Sequence, residues 1–283
     1  MQYHHIYHAG NFSDVFKHCT LITLIKSLGK KDKSIFYLDT HAGIGKYDLT
    51  SKAAQKTREY ETGIALLYKI SDTTPEIIKT YLNIVRANNY HDPSFLHYYP
   101  GSPIIIRSLL RPQDRMILTE LNSDDIKILK QEFLHDKQVA VHHTNGYQSI
   151  KAFLPPQQGR GLILIDPAFE DPTEFGNIIS ALEIAKEKFP TGIYAIWYPI
   201  KDDLIKRDFY YELSTLGFQN ILLTEFSLGK SLPNETKLKS CGMAIINAPW
   251  KIDMELKPII TYLNNVLTKD TFRYTNVNWL TNP

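Results

Sequence analysis

The sequence is poor in cysteine, in long apolar runs and in net charge. Cys19 and Cys241 are the only cysteines among 283 residues, too few for the disulfide framework of a secreted scaffold and in keeping with a reducing cytoplasm. Neither has a Cys or His at zinc-ligand spacing, so both read as small buried hydrophobes. No window approaches the roughly 18 uninterrupted apolar residues of a membrane span. The N-terminal MQYHHIYHAGNFSDVFKH lacks the basic start and apolar core of a signal peptide. A cytoplasmic protein without a membrane span is expected. The formal net charge of +2 admits nucleic acid but selects no partner. His4, His5 and His8 come without a supporting acid or cysteine cluster, so no metal is expected. There is no internal repeat and no low-complexity tract.

What is present is an ordinary globular composition, 43% hydrophobic and 22% charged, which excludes a disordered chain. A chain of this length buries roughly three quarters of its unfolded surface and needs no staple. One domain over residues 1–283 is expected, with a monomer as the default. Asn11 or Ser13 is placed to cap a helix, with Asp14 in its first turn. Val15, Cys19, Ile22, Leu24, Ile25 and Leu28 recur at near-helical spacing up to Gly29. Residues 34–39, SIFYLD, read as a buried strand. Residues 46–92 then change character, with helical patterns at 59–70 and 75–88 and no strand. Such a block between strand units reads as a helical insertion, placed at 46–97. YYPGSP, at 98–103, reads as a turn opening a helix at 104–110. Strands at 116–120, 139–143, 161–166, 192–197, 221–225 and 242–247 follow, alternating with helices. With the first strand this makes an α/β fold whose sheet is mostly parallel and covered on both faces. Residues 229–240 form a polar, basic loop.

In an open sheet of this kind ligands sit beyond the carboxyl ends of the strands. Four strand ends carry suitable residues. DTHAGIG, at 39–45, has glycines that let a backbone approach a ligand, though it also reads as a plain turn. Glu120 ends ILTEL, where an acid accepts from ribose hydroxyls or simply faces solvent. Asn145-Gly146 reads as a turn or as an amide placed against an adenine ring. Asp166-Pro167-Ala168-Phe169 ends the run GLILI. The lone pair of an exocyclic amine such as adenine N6 is delocalised into the ring. An Asp carboxylate and a backbone carbonyl that both accept from the NH2 draw the nitrogen toward sp3 geometry. The lone pair is then concentrated for attack on an activated methyl. Proline stiffens the carbonyls and an aromatic stacks on the base. Lys17 and His18 sit on the first helix, where a solvated face is the plain alternative. Lys201, Lys206, Arg207, Lys230, Lys237 and Lys239 read as surface charge, some of it available as a phosphate-binding rim.

With these residues in view, the chain resembles the S-adenosylmethionine-dependent methyltransferases of the amino-methylating [DNS]-P-P-[YFW] group. More specifically, it is similar to the ribosomal large-subunit RNA methyltransferase J family. HAGNFSDVFKH, YLDTHAGIGKY, YYPGSP, LTEL, RGLILIDPAFE, YAIWYP and GMAIINAPW carry the resemblance in family order across nearly the whole chain. The resemblance implies a Rossmann-like class I fold with seven strands, S-adenosyl-L-methionine as cofactor and N6 of one adenine in 23S ribosomal RNA as target. It implies that Asp166 accepts from the amine and takes its proton. Glu120 would hold the ribose and Ser102 would contact the methionine end. His18, His41, Asn145 and Gly146 would lie around the cofactor, and Tyr3, Lys17, Pro167, Ala168 and Phe169 on the substrate side. The chain departs from the family's Asp-Pro-Pro-Tyr at Ala168, which keeps the carbonyl without proline's rigidity, and at Phe169, which stacks without a hydroxyl. Asn145 stands where the family tends to have Asp, adding a donor. An adenine methyltransferase acting on DNA and a silent RNA-binding protein on the same fold are the alternatives.

Overall fold

In the computed structural model, α1 (Phe12–Gly29) begins where the sequence places it, the Asn11 side chain accepting from the Asp14 N–H. Its burial is not that of an amphipathic helix: every residue from Phe12 to Leu24 is buried, polar ones included. Thr20 and Thr23 return their hydroxyls to the carbonyls of Phe16 and Cys19, at 2.9 and 2.8 Å, which satisfies them inside the core. The structure describes residues 4–70, 74–90, 92, 94–229, 237–268 and 274–282.

After α1 come β1 (Phe36–Asp39), β2 (Lys46–Asp48), α2 (Lys52–Thr57), α3 (Ile64–Tyr68), α4 (Glu76–Ala87), β3 (Tyr98–Pro100) and α5 (Ser102–Arg107). The chain continues through β4 (Arg115–Glu120), α6 (Asp125–Glu132), β5 (Val139–His143), α7 (Gly146–Phe153) and β6 (Gly161–Ile165). It ends with α8 (Glu174–Lys188), β7 (Ile193–Pro199), α9 (Asp203–Thr215), β8 (Ile221–Ser227), β9 (Ser240–Ile246), α10 (Ile252–Leu267) and β10 (Tyr274–Thr281).

The main sheet runs β10-β8-β9-β7-β6-β1-β4-β5. Strands β5, β4, β1, β6 and β7 pair in parallel, and β9 runs antiparallel between β7 and β8. The seven-strand expectation therefore falls one short. The eighth strand, β10, pairs antiparallel with β8 at the sheet edge. Its sequence YTNVNWLT has no apolar run, because an edge strand half open to solvent needs none. The sheet remains mostly parallel. Leu162 and Leu164 join one core and Ile163 and Ile165 the other, so successive side chains of β6 feed the two faces.

Residues 46–97 also hold more than helix. Strands β2 and β3 pair antiparallel across the block, too short at three residues each to show a period. The helical pattern at 59–70 is broken at Gly63, where the chain passes over Gly10 and Asn11. A Cβ at Gly63 would lie 2.1 Å from the Gly10 carbonyl oxygen, so only glycine allows this crossing. Ile78, Tyr81, Leu82 and Val85 of α4 share the core of α1.

Candidate active site at the switch point

The strand order turns at β1, which has β4 on one side and β6 on the other. The crevice beyond such a reversal is where open α/β sheets bind ligands. In the parallel register Asp39 lies level with Leu118 and Leu164, so Glu120 and Asp166 emerge just beyond it on either side. A cavity of about 620 Å³ opens there, within the range of small-molecule sites. His18, His41, Ser102, Glu120, Lys17, Asp166, Pro167, Ala168 and Phe169 all line it. Asn145 and Gly146 do not. The Asn145 side chain caps α7, accepting from the N–H groups of Tyr147 and Gln148. Gly146 backs His41, its Cα so close that a Cβ would lie 2.8 Å from the imidazole Cε1. Tyr3 and Lys230 lie outside the described residues.

Lys17 is no solvated lysine: it is 5% exposed, and its Nζ bridges Asp14 Oδ1 at 2.8 Å and Asp166 Oδ2 at 2.6 Å. Burial opposes its charge, but the two carboxylates outweigh that and hold its pKa well above the lysine range. Asp14 is buried in turn and accepts from the Gly10 N–H at 2.9 Å, with His5 Nε2 at 2.9 Å. Burial alone would raise its pKa; His5 and Lys17 keep it well below the carboxylate range. A chain of charge thus runs from the N-terminal segment to the end of β6. The block after β2 braces that segment. Glu59 meets His8 Nδ1 with both oxygens at 3.0 Å and accepts from Asn11 Nδ2 at 3.0 Å.

On the other side of the crevice, Glu120 is held by backbone N–H groups. Gly43 donates to Oε2 at 2.9 Å and Asn122 to Oε1 at 2.7 Å. That fixes the glycine loop after β1 against the end of β4. Thr40 Oγ1 donates to the Leu164 carbonyl at 2.9 Å and lies 2.8 Å from His41 Nδ1. His41 is neutral at physiological pH: burial lowers its pKa to about 4 against the opposing charge of Asp166. Ser102 Oγ donates to Asp39 Oδ2 at 2.7 Å. Asp39 is fully buried, and desolvation raises its pKa to about 6 although Ser102 works the other way.

Phe169 holds φ +52, a left-handed conformation rare for a bulky residue. Its ring is set edge-on to Trp197 at 5.7 Å and tilted on Phe175 at 5.0 Å. Trp197 donates its indole N–H to Ser13 Oγ at 2.8 Å. Backbone strain of this kind gathers at functional sites. Among the described residues, no group of three or more His, Cys, Asp or Glu side chains is arranged to hold a metal, and no helix is long and apolar enough to cross a membrane.

Asp14, His5, Glu59 and Ser13 were not expected at the site. The i,i+3 spacing of Asp14 and Lys17 was a signal for one contact only. Nothing local announces that Lys17 meets a residue 149 positions away.

A switch-point cavity bounded by a strand-end acid, a glycine loop and an Asp-Pro turn defines a nucleotide-cofactor enzyme of Rossmann-like, methyltransferase type. A family model described as ribosomal RNA large subunit methyltransferase D, RlmJ, matches residues 32–281. The chain is 40% identical over 281 residues to ribosomal RNA large subunit methyltransferase J of Haemophilus influenzae, across 99% of both chains. It is 39% identical over 283 residues to the Escherichia coli protein of the same name, again across 99% of both. A crystal structure of a Legionella pneumophila protein superposes with a TM-score of 0.88 at 35% identity, covering 96% of this chain and 98% of that one. The chain belongs to this methyltransferase family.

Proposed function

We propose that this protein transfers a methyl group from S-adenosylmethionine to N6 of an adenine in 23S ribosomal RNA. The observation that carries the reading is Asp166, held by Lys17 on the wall of the switch-point cavity beside Phe169. The residues fit the cofactor. Glu120, fixed by two backbone N–H groups, is poised for ribose hydroxyls. His18 offers the cavity wall a buried ring nitrogen, Nε2, that has no hydrogen-bond partner among the described residues. Ser102 serves the methionine end, and His41, backed by Gly146, shapes the middle. Asn145 reaches the adenine end only indirectly, through the turn it caps.

The cofactor supplies a methyl on a positively charged sulfur, which leaves as a neutral thioether. The protein's part is to make the target nitrogen nucleophilic. Because Lys17 holds Oδ2 of Asp166, Oδ1 is the oxygen that meets the N6 amine. The Pro167 carbonyl accepts the second amine hydrogen. Asp166 would take up the surplus N6 proton as the methyl is transferred, the methyl–sulfur electron pair staying with the departing thioether. Phe169, locked by Trp197 and Phe175, stacks on the flipped base. Tyr3 would approach the RNA, and Lys201 and Lys237 at the cavity mouth would meet phosphates. Residues 46–97 serve as an insertion within one domain that braces the N-terminal segment. The enzyme acts as a cytoplasmic monomer.

The test is transfer of labelled methyl to unmodified large-subunit ribosomal RNA, with DNA of equal sequence as a parallel arm. The wild type labels the RNA, and Asp166→Ala loses about 10²–10⁴ in rate, as for removal of a positioned proton acceptor. Undiminished transfer by the variant refutes the role of Asp166. Labelling of DNA alone points to the DNA enzyme, and RNA binding without transfer to a silent binder.

A further inference from the structure

His18 is 1% exposed, and burial lowers its pKa to about 3, so the imidazole is neutral and has one donor and one acceptor nitrogen. Asp14, Lys17 and His5 are the charged or titratable groups that act on it. Its Nδ1 lies 2.8 Å from the Tyr99 hydroxyl, and that hydroxyl lies 3.0 Å from the hydroxyl of Tyr81. All three side chains are fully or almost fully buried. Tyr81 stands on α4, which packs against α1, and Tyr99 on β3. Neither tyrosine lines the cavity, whereas His18 does. With Nδ1 engaged by Tyr99, Nε2 is the ring nitrogen of this cavity-lining histidine that is left without a partner among the described residues.

Two proton arrangements are open to this chain of three groups. In one, His18 Nδ1–H donates to Tyr99, Tyr99 donates to Tyr81, and the Tyr81 hydroxyl proton is left with no acceptor. Among the described residues its one hydrogen bond is to Tyr99. In the other, Tyr81 donates to Tyr99 and Tyr99 donates to Nδ1. Both buried hydroxyl protons are then satisfied, and the proton of the imidazole sits on Nε2, which has no acceptor among the described residues. Each arrangement thus strands one buried donor, at about 1–3 kcal/mol, and only in the second does an acceptor supplied by a ligand in the cavity satisfy every donor, which is what selects it.

We infer that Tyr99 and Tyr81 are positioning residues that hold His18 as its Nε2–H tautomer, so that this point of the cavity is a hydrogen-bond donor matched to the carboxylate of the aminoacyl end of S-adenosylmethionine. The inference rests on the cofactor reading given above. It makes the block between β2 and α5 part of the cofactor site without its touching the cofactor.

The test combines a spectroscopic and a binding measurement on the full chain. In the wild type with S-adenosylmethionine bound, the 15N shifts of the His18 imidazole show a protonated Nε2 and a bare Nδ1; a protonated Nδ1 overturns the inference outright, with no variant needed. Tyr99→Phe leaves Nδ1 without a donor and gives mixed tautomer shifts. Its Kd for S-adenosylmethionine, read by calorimetry, rises about tenfold, and Tyr81→Phe gives a smaller rise. Decarboxylated S-adenosylmethionine, lacking the acceptor, binds wild type and Tyr99→Phe alike. An unchanged Kd in Tyr99→Phe, or an equal loss with both ligands, overturns the assignment to the carboxylate. Failure of the wild type to bind either ligand overturns the cofactor reading instead, and the two failures are distinguishable.

Discussion

Replacing Lys17 by Met is the sharpest test of the charge chain that runs into the site. Methionine keeps most of the apolar stem and removes the ammonium. Asp14, 2% exposed, and the partly shielded Asp166 then lose the cation that lies within 2.8 Å of both. Removing one partner of a buried pair costs about 3–5 kcal/mol, because the other charge stays buried without compensation. Asp14 keeps the Gly10 N–H and His5, so the lower half of that range is expected. For a chain of this size each kcal/mol moves the midpoint by roughly 2–4 °C, which gives a fall of about 6–15 °C at neutral pH. The sign with pH follows from the two shifts. Asp14 is depressed below 3.8, so its contribution is complete above that pH and fades as pH falls through its folded value. Lys17 is raised above 10.5, so its contribution is complete below that pH and fades only in stronger alkali. The wild-type pair is therefore flat across neutral pH, and the deficit of Lys17→Met shrinks on acidification as Asp14 protonates. Urea unfolding from pH 8 down to pH 3 measures this. The double variant Asp14→Asn/Lys17→Met is expected to recover part of the loss. An unchanged midpoint for Lys17→Met, or a double variant less stable than the single one, would refute the reasoning.

Asp39 behaves in the opposite sense. Its pKa is raised from 3.8 to about 6, so the fold takes up a proton between those values and loses up to ~3 kcal/mol as pH rises through them. Asp39→Asn is expected to gain stability relative to wild type at pH 7.5, by about 1–2 kcal/mol since the amide has one acceptor oxygen and cannot accept from both the His41 N–H and the Ser102 hydroxyl, and to gain nothing at pH 4. Equal differences at both pH values in paired denaturation curves would count against a buried, strained carboxyl. Gly146→Ala places a Cβ 2.3 Å from the Thr40 carbonyl oxygen and 2.8 Å from the His41 ring. It should cost about 1–3 kcal/mol and weaken cofactor binding by displacing His41; calorimetry showing native affinity would remove Gly146 from the site's support.

The fold was legible where one face of an element meets the core and illegible where nothing periodic is required. The central parallel strands read as continuous apolar runs because both their faces are covered, as β6 with its five buried residues illustrates. Strands β2, β3 and β10 carry no such run. Two are three-residue closures and one is an exposed edge, so their pairing is set by partners distant in sequence. Helix α1 was placed correctly by Asn11 and by its apolar spacing. Its all-round burial was not visible, because Asp14, Lys17, Thr20 and Thr23 read as a polar face until their partners are known.

The site shows the same division at the level of chemistry. Glu120 and Asp166, which line the cavity, could be singled out because a strand end is a position with a meaning, and an acid there needs little else to be noticed. Lys17 and His18 were ambiguous because their meaning lies in what they touch. For Lys17 that is Asp166, 149 residues on; for His18 it is Tyr99, 81 residues on. Buried charge is tolerated only when compensated, so each buried ion on α1 implied a counter-ion somewhere, and the N-terminal helix had to pass the end of β6. A sequence read for charge compensation as well as for periodicity would pose that requirement. The register of β1 against β4 and β6 supplies the partners, by bringing their acids to one crevice.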